Sequence, residues 1–137
     1  MRVMVTGHNG YVGKVMTPML VQAGHEVVGL DTNLYQGSSF GDEPVVTGLT
    51  EVQKDIRDVD FHDLAGIDAV IHLAALSNDP LGDLNPALTY EINHRRRCAW
   101  RNWPNGPALS VLSFLRRAAT MAPAAMTGCA KNPPSIQ

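Results

Sequence analysis

The chain lacks the features that mark a membrane protein, a metal site or a secreted protein. No apolar run in its 137 residues approaches the roughly 20 residues that cross a bilayer, and no signal-peptide pattern is visible at the N-terminus. The two cysteines, Cys98 and Cys129, have neither CxxC nor metal-ligand spacing, so they predict no metal site and leave the redox compartment open. We therefore expect one cytoplasmic domain with no membrane partner.

Acidic residues are absent from the last third of the chain. Residues 1–94 hold 4 Lys/Arg and 13 Asp/Glu, whereas residues 95–137 hold 7 Lys/Arg and no acid. Both tryptophans and both cysteines also fall in the second part. Such a break is typical of a boundary, a tail or a change of origin. The composition therefore predicts a folded portion over 1–94 and an atypical, poorly ordered basic tail over 95–137.

Three glycines follow the first apolar run. Residues 2–6 predict a strand and residues 11–23 predict a helix, with Gly7, Gly10 and Gly13 at the junction. In this context the first glycine permits a tight turn and the second leaves room for a pyrophosphate. The third lets the helix pack on the strand, and the helix N-terminus offers free N–H groups to the anion. The pattern predicts a dinucleotide site.

The first helix carries its own signals for packing and for its end. Pro18 predicts a kink or an early break because it lacks an N–H group, and Gly24 predicts the C-terminal stop. Its expected apolar face consists of Val12, Val15, Met16, Met19 and Leu20.

An acidic residue follows the glycines at an informative distance. Residues 26–31 predict a second strand that ends at Asp31, 18 residues after Gly13. A carboxylate at about this spacing accepts hydrogen bonds from the adenosine ribose hydroxyls and repels a 2′-phosphate. We therefore expect NAD rather than NADP. The alternative interpretation is that Asp31 caps a loop.

The remaining pattern alternates strands and helices as far as Asn93. Residues 52–55 and 68–75 predict two more strands, and Pro86 predicts the start of another helix. The alternation indicates an α/β fold, a Rossmann-type doubly wound parallel sheet that is incomplete, with about four strands and an irregular C-terminal tail. Residues 94–107 show no periodicity, and residues 109–119 fit a helix, with no strand marked after them.

Five motifs together resemble a known family. They are Thr6-Gly-His-Asn-Gly-Tyr-Val-Gly13, Asp31, Asp55-Ile-Arg-Asp58, His72-Leu-Ala-Ala75 and Tyr90-Glu-Ile-Asn93. In this order they resemble the N-terminal part of the extended short-chain dehydrogenase/reductases, and within them the NAD-dependent epimerases and dehydratases of nucleotide sugars. The resemblance implies NAD as cofactor, a nucleotide-sugar substrate, a frequent homodimer and no nucleic-acid partner.

The resemblance also implies a set of cofactor-binding residues. The pyrophosphate would be faced by Gly7, Gly10, Tyr11, Val12 and Gly13, and the adenosine ribose by Asp31, Thr32, Asn33 and Leu34. The adenine would be held by Asp55 and Ile56, and the nicotinamide side would be lined by Leu73, Ala74 and Ala75. Asn93 would contact the cofactor from the fourth helix. Taken alone, Asp55 also fits an ordinary strand-end acid, and the alanines fit plain packing residues. His72 reads as a core histidine and His8 as a solvent-facing position.

The family's catalytic pattern is missing from this chain. The resemblance assigns proton transfer to a Ser/Thr and a Tyr-x-x-x-Lys pair, but no lysine stands four residues after Tyr11, Tyr35 or Tyr90. We therefore assign no catalytic residue and expect a truncated form limited to cofactor binding. The alternatives are a non-catalytic NAD(P)-binding module and a non-functional truncated product.

A shifted reading frame from about Arg97 would explain the tail. The third base of each codon, joined to the first two bases of the next, restores residue types that the family carries. Trp103-Pro104 must then give Ala, Met121-Ala122 must give Gly, and Met126-Thr127 must give Asp. The alternative is a genuine basic tail that binds an acidic partner.

We predict that the gene, read in this alternate frame, encodes the family's fourth helix, fifth strand and serine-rich segment. Sequencing the DNA that encodes residues 97–137 tests this prediction. Stop codons scattered through the alternate frame would rule out the frameshift and leave the basic tail.

Overall fold

Five parallel strands form a single sheet. The computed structural model describes residues 1–37, 46–76, 84–101 and 110–113. The elements are β1 (Arg2–Thr6), α1 (Tyr11–Gln22), β2 (Glu26–Asp31), β3 (Leu49–Gln53), a 3-10 helix (Ile56–Asp58), β4 (Ala69–His72), α2 (Pro86–Tyr90), a π-helical segment (Glu91–Arg95), α3 (Arg96–Arg101) and β5 (Ser110–Ser113). The strand order is β3-β2-β1-β4-β5, and every pair is parallel. This order confirms the Rossmann-type sheet, with one strand more than expected.

Several predicted boundaries need correction. The third strand is Leu49–Gln53 rather than 52–55, and the fourth is Ala69–His72, shorter than 68–75. Residues 61–66, between the 3-10 helix and β4, form turns. Strand ends are set by the neighbouring strand with which they pair, and β3 is fixed by its register against β2, with Leu49 beside Val27. A single sequence does not contain that information.

The prediction that regular structure ends after Asn93 is wrong for the described residues. The helical chain continues to Arg101, and Ser110–Ser113 forms β5 against β4 where a helix over 109–119 was expected. An open edge on β4 provides backbone hydrogen-bonding groups for another strand, which overrides a weak local pattern. The predictions for residues 102–109 and 114–137 lie outside the described residues. Among the described helices none is long and apolar enough to cross a membrane.

The core on one face of the sheet is completed by a tryptophan from the second part of the chain. Trp100 is 1% exposed and packs with Met4 and Leu30 of the central strands. Its ring meets that of His72 edge-on, with the ring centroids 5.3 Å apart. His72 is buried and its Nδ1 is 2.9 Å from Thr6 Oγ1, which confirms it as a core histidine.

Helix α1 begins after Gly10 and runs through Pro18 without an early break. It ends where predicted. Gly24 adopts a positive φ of 84°, its N–H donates to Val21 O, and the next N–H, that of His25, donates to Leu20 O. These two bonds form a Schellman motif, which satisfies carbonyl groups that the last turn would otherwise leave without donors.

The predicted apolar face of α1 is largely on the outside. Val12, Val15 and Met19 are 46%, 61% and 63% exposed. The sheet is instead covered by buried Gly13 and Thr17, followed by partly buried Leu20 and Val21. Hydrophobicity alone favoured the bulkier stripe, but at Gly13 the helix packs on the backbone of Gly7 and His8, where a Cβ would stand 2.3 Å from Gly7 O.

The expectation that His8 faces solvent is wrong. His8 is 3% exposed and its ring lies against Gly29 of β2. A Cβ atom on Gly29 would stand 2.5 Å from the ring carbons of His8. His8 Nε2 is also 4.0 Å from Glu51 Oε1 on β3. The missing side chain at Gly29 therefore creates the space that buries His8.

We predict that Gly29→Ala lowers the free energy of unfolding by about 1–3 kcal/mol, because the new methyl group overlaps the imidazole ring. Adding His8→Ala removes that overlap, so the double variant loses less stability than the two single variants together. Urea denaturation of the four proteins measures the coupling. Strictly additive losses would contradict the packing of His8 on Gly29.

Candidate cofactor site

The predicted site residues lie along one edge of the sheet. Gly7 directly follows β1, Asp31 is the last residue of β2, Asp55 is the second residue after β3, and Leu73 directly follows β4. All of these strands are parallel, so their carboxyl ends share one edge. From β1 the chain adds β2 and β3 on one side and then β4 and β5 on the other, so the strand order reverses between β1 and β4. Ligands of open α/β sheets bind at such a point.

The first and third glycines are required by close backbone packing. Gly7 has a φ of +75°, and a Cβ there would stand 2.7 Å from Ala74 N. A Cβ on Gly13 would stand 2.3 Å from Gly7 O. The tight turn is held by Gly7 N donating to Leu30 O at 2.8 Å and by Gly10 N donating to Gly7 O at 3.0 Å. Any side chain at Gly7 or Gly13 would separate β1, β4 and α1.

Gly10 differs from the other two glycines. It is exposed, its φ of −76° suits any residue, and a Cβ there would meet only Gly7 O, at 3.2 Å. The backbone conformation therefore does not require glycine at this position, and the one close contact of an added Cβ would be with Gly7 O. An exposed backbone that carries no side chain is what a closely approaching phosphate needs.

The N-terminus of α1 is suited to an anion. Within the described chain its first turn contains no acidic side chain, and no side chain caps it. The first N–H groups of a helix have no intrahelical acceptor and lie at the positive end of the helix dipole. Tyr11, 93% exposed, and Val12, 46% exposed, begin this turn. The residues present fit a pyrophosphate at the glycine loop.

Asp31 is held at the loop edge by two backbone donors. Its Oδ2 accepts from Asn9 N at 3.0 Å, and its Oδ1 accepts from Asn33 N at 2.9 Å. The alternative interpretation, a loop cap, is thus part of its role. Because each carboxylate oxygen has a second lone pair, Asp31 can also accept from two ribose hydroxyls. Thr32 and Asn33 beside it are half-buried, and Leu34 is 80% exposed.

Asp55 forms a forked ion pair with a neighbour. Its Oδ1 accepts from Arg57 N at 2.8 Å and from Nε at 3.0 Å, and its Oδ2 accepts from Nη2 at 2.7 Å. The hydrogen bond to Asp55 and its negative charge raise the pKa of Arg57 above its ordinary value. Ile56 is buried in the core, so only its backbone is available to a ligand. The geometry therefore supports the interpretation of Asp55 as a strand-end acid.

Asn93 holds the wall of the site. Its Nδ2 donates to Leu76 O and its Oδ1 accepts from Leu76 N, both at 2.9 Å. Asn93 lies in the π-helical segment, a distortion often found at functional sites. The segment that it fixes follows Ala74 and Ala75, which are half-buried, and Leu73, which packs on the α1 side. A direct contact between Asn93 and a cofactor stays a prediction.

One site residue, Asn9, lies within the glycine motif, but the sequence pattern assigned no role to its side chain. The side chain of Asn9 donates from Nδ2 to Asn33 Oδ1 at 2.7 Å, joining the glycine loop to the loop after β2. The two residues are 24 positions apart, and no spacing rule connects them. Only the packing of α1 and β2 against β1 brings these loops together.

Comparisons with known proteins agree with this arrangement. Residues 3–98 match the model of the NAD dependent epimerase/dehydratase family. A UDP-glucose 4-epimerase from Streptomyces lividans is 35% identical over 122 residues, covering 85% of this chain and 36% of its own.

Solved structures give the same result. A UDP-glucose 4-epimerase from Stenotrophomonas maltophila, with bound NAD and formylated UDP-arabinopyranose, is 32% identical with a TM-score of 0.57. The match covers 72% of this chain and 32% of that one. The UDP-glucose 4-epimerase of Thermus thermophilus, in complex with NAD, is 29% identical with a TM-score of 0.55, covering 71% and 31% of the two chains.

This chain thus spans about a third of the length of the relatives just described. The expected cofactor, NAD, is the cofactor of the family and is bound in both solved relatives. Together, the strand order, the glycine loop and the match over residues 3–98 show that the chain belongs to the NAD dependent epimerase/dehydratase family.

Proposed function

We propose that this chain binds NAD at the carboxyl edge of its sheet, as the cofactor-binding portion of an epimerase or dehydratase of nucleotide sugars. The observation that carries the proposal is Gly10. Its bare, exposed backbone lies beside an uncapped helix N-terminus, although its backbone conformation does not require glycine. Such a position is explained by a phosphate that must approach closely.

Each part of the edge has a task in this proposal. The first N–H groups of α1 bind the pyrophosphate, and Asp31 accepts from the ribose hydroxyls. Small Ala74 and Ala75 leave room beyond β4, and Asn93 keeps that segment in place through Leu76. When bound, NAD would supply a hydride acceptor for a sugar carbon.

The nucleotide-sugar substrate is proposed from the relatives. Two solved relatives are UDP-glucose 4-epimerases, and one of them binds a UDP-linked sugar. In this chain, however, none of the three tyrosines has a lysine four residues later. We therefore propose that the chain by itself binds the cofactor without turning over a sugar, and that it does so in the cytoplasm.

A shortened product of a longer enzyme is the favoured origin of the chain. The match to the family model ends at Cys98, next to Arg97, where the shifted frame would begin, whereas the similarity to the Streptomyces lividans epimerase covers 85% of the chain and so extends beyond residue 98. A dedicated NAD(P)-binding module is the second candidate, favoured by the buried Trp100 and by β5, which extend the fold beyond residue 98.

Two glycine variants separate cofactor binding from folding. Gly10→Ala places a methyl group in the space assigned to the pyrophosphate; its φ of −76° suits alanine, and the methyl group would stand 3.2 Å from Gly7 O, against 2.3 Å for a Cβ on Gly13. We expect NAD+ affinity, measured by isothermal titration calorimetry, to fall about tenfold or more with little change in urea stability. Gly13→Ala, whose Cβ overlaps Gly7 O, should lose stability by about 1–3 kcal/mol or more.

Unchanged NAD+ affinity in Gly10→Ala would contradict the phosphate position. No NAD+ binding by the unaltered, folded chain would overturn the proposed function and favour a non-functional product. An assay with NAD+ and UDP-glucose should show no turnover, and conversion of the sugar by this chain would refute the proposed lack of catalysis.

A further inference from the structure

Two asparagines connect the loops on either side of Asp31. The Asn9 amide donates to the Asn33 amide oxygen at 2.7 Å, and both residues are half-buried. We name this hydrogen bond the Asn9–Asn33 clasp. It joins the glycine loop, which carries the phosphate position, to the loop after β2, which carries the ribose position.

The same two residues also fix the Asp31 carboxylate. The N–H of Asn9 donates to one of its oxygens and the N–H of Asn33 donates to the other, at 3.0 Å and 2.9 Å. Side chain and backbone of each asparagine thus act together, and three hydrogen bonds close a ring through Asn9, Asp31 and Asn33. Rotation of the carboxylate would break at least one of these bonds.

Asn33 is suited to this position by its backbone. Its φ of 58° makes it the one non-glycine residue with a positive φ among those that the structure describes. Asparagine tolerates this left-handed conformation better than most residues do. The conformation directs the Asn33 N–H to Asp31 while the side chain reaches Asn9.

We propose that the Asn9–Asn33 clasp is a specificity device, in which Asn9 acts as a positioning residue that makes the site prefer NAD over NADP. This inference rests on the proposed function and assigns the preference to more than the charge of Asp31. A carboxylate that can turn aside would make room for a 2′-phosphate. A carboxylate held from both loops stays where it accepts from the 2′-hydroxyl and repels the phosphate.

The clasp also lowers the cost of binding. Two loops that are already joined lose little conformational freedom when a ligand bridges them. Because the clasp lies at the adenosine end of the site, its contribution should be the same for NAD+ and for ADP-ribose, which lacks the nicotinamide. NADP+ shares this gain but meets the fixed carboxylate with its 2′-phosphate, so the clasp should favour NADP+ less than NAD+.

The test uses Asn9→Ala, Asn33→Gly and the double variant of the full chain. Asn33→Gly removes the side chain but keeps the positive φ without strain. Calorimetric titrations with NAD+, ADP-ribose and NADP+ give the affinities. Each single variant should bind NAD+ and ADP-ribose about 3- to 10-fold more weakly, while the NAD+/NADP+ preference falls at least about threefold.

The double variant distinguishes the clasp from two separate effects. Since both substitutions remove the same hydrogen bond, the NAD+ affinity of the double variant should be no lower than that of the single variant that binds NAD+ more weakly. Asn85→Ala is the matched control, because the Asn85 amide oxygen accepts from Leu88 N at the start of α2. It should lower stability and leave the NAD+/NADP+ preference unchanged.

The outcomes separate the two proposals. If the unaltered chain binds NAD+ and both single variants keep its affinity and preference, the clasp proposal is wrong and the proposed function stands. Additive losses in the double variant would also overturn the clasp. If the unaltered chain binds no dinucleotide, both proposals fail. Urea denaturation confirms that each variant is folded, and Asn33→Gly tests the clasp even if Asn9→Ala unfolds.

Discussion

The close approach of the glycine loop to β4 and α1 is the constraint on which the rest of the structure depends. A Cβ on Gly13 would stand 2.3 Å from Gly7 O, and a Cβ on Gly7 would stand 2.7 Å from Ala74 N. Three backbone segments therefore meet with no side chain between them. This contact sets how deep α1 sits on the sheet and brings its N-terminus to the edge where the strands end.

The same contact explains why part of the predicted apolar face of α1 is exposed. Gly13 is buried on the backbone of Gly7 and His8, where a side chain would overlap, and Thr17 four residues later is also buried, while Val15 and Met19 are exposed. It also explains His8, whose ring occupies the space left by Gly29 beneath the loop. In both cases close packing at a glycine, rather than hydrophobicity, decides which residues are inside.

At the carboxyl edge of the sheet, local hydrogen bonds fix the acidic side chains beside the glycine loop. Asp31 and Asp55 both lie at the carboxyl ends of strands and both accept from nearby N–H groups, yet they differ in the lone pairs that remain available to a ligand. Asp55 is engaged with the guanidinium group of Arg57, whereas the donors to Asp31 among the described residues are both backbone N–H groups, which leave lone pairs for a ligand. Equivalent positions in the sequence pattern therefore have different chemistry in the fold.

Much of this could be predicted because it is local. The order of strands and helices, the stop at Gly24 and the spacing from Gly13 to Asp31 follow from backbone preferences that act over a few residues. The family motifs predicted NAD because they describe this same local arrangement of glycine turn, helix start and strand-end acid. What failed were statements about neighbours distant in sequence: the start of β3, the helical residues up to Arg101 and the strand β5.

The sequence by itself thus determined the kind of sheet, the glycine turn and the acid at the end of β2, since each depends on residues close along the chain. Only the tertiary structure decided which side of α1 is buried, that His8 and Trp100 lie inside, and that Asn9 meets Asn33. Those outcomes depend on how closely separate segments pack, and packing distances are a property of the folded chain as a whole.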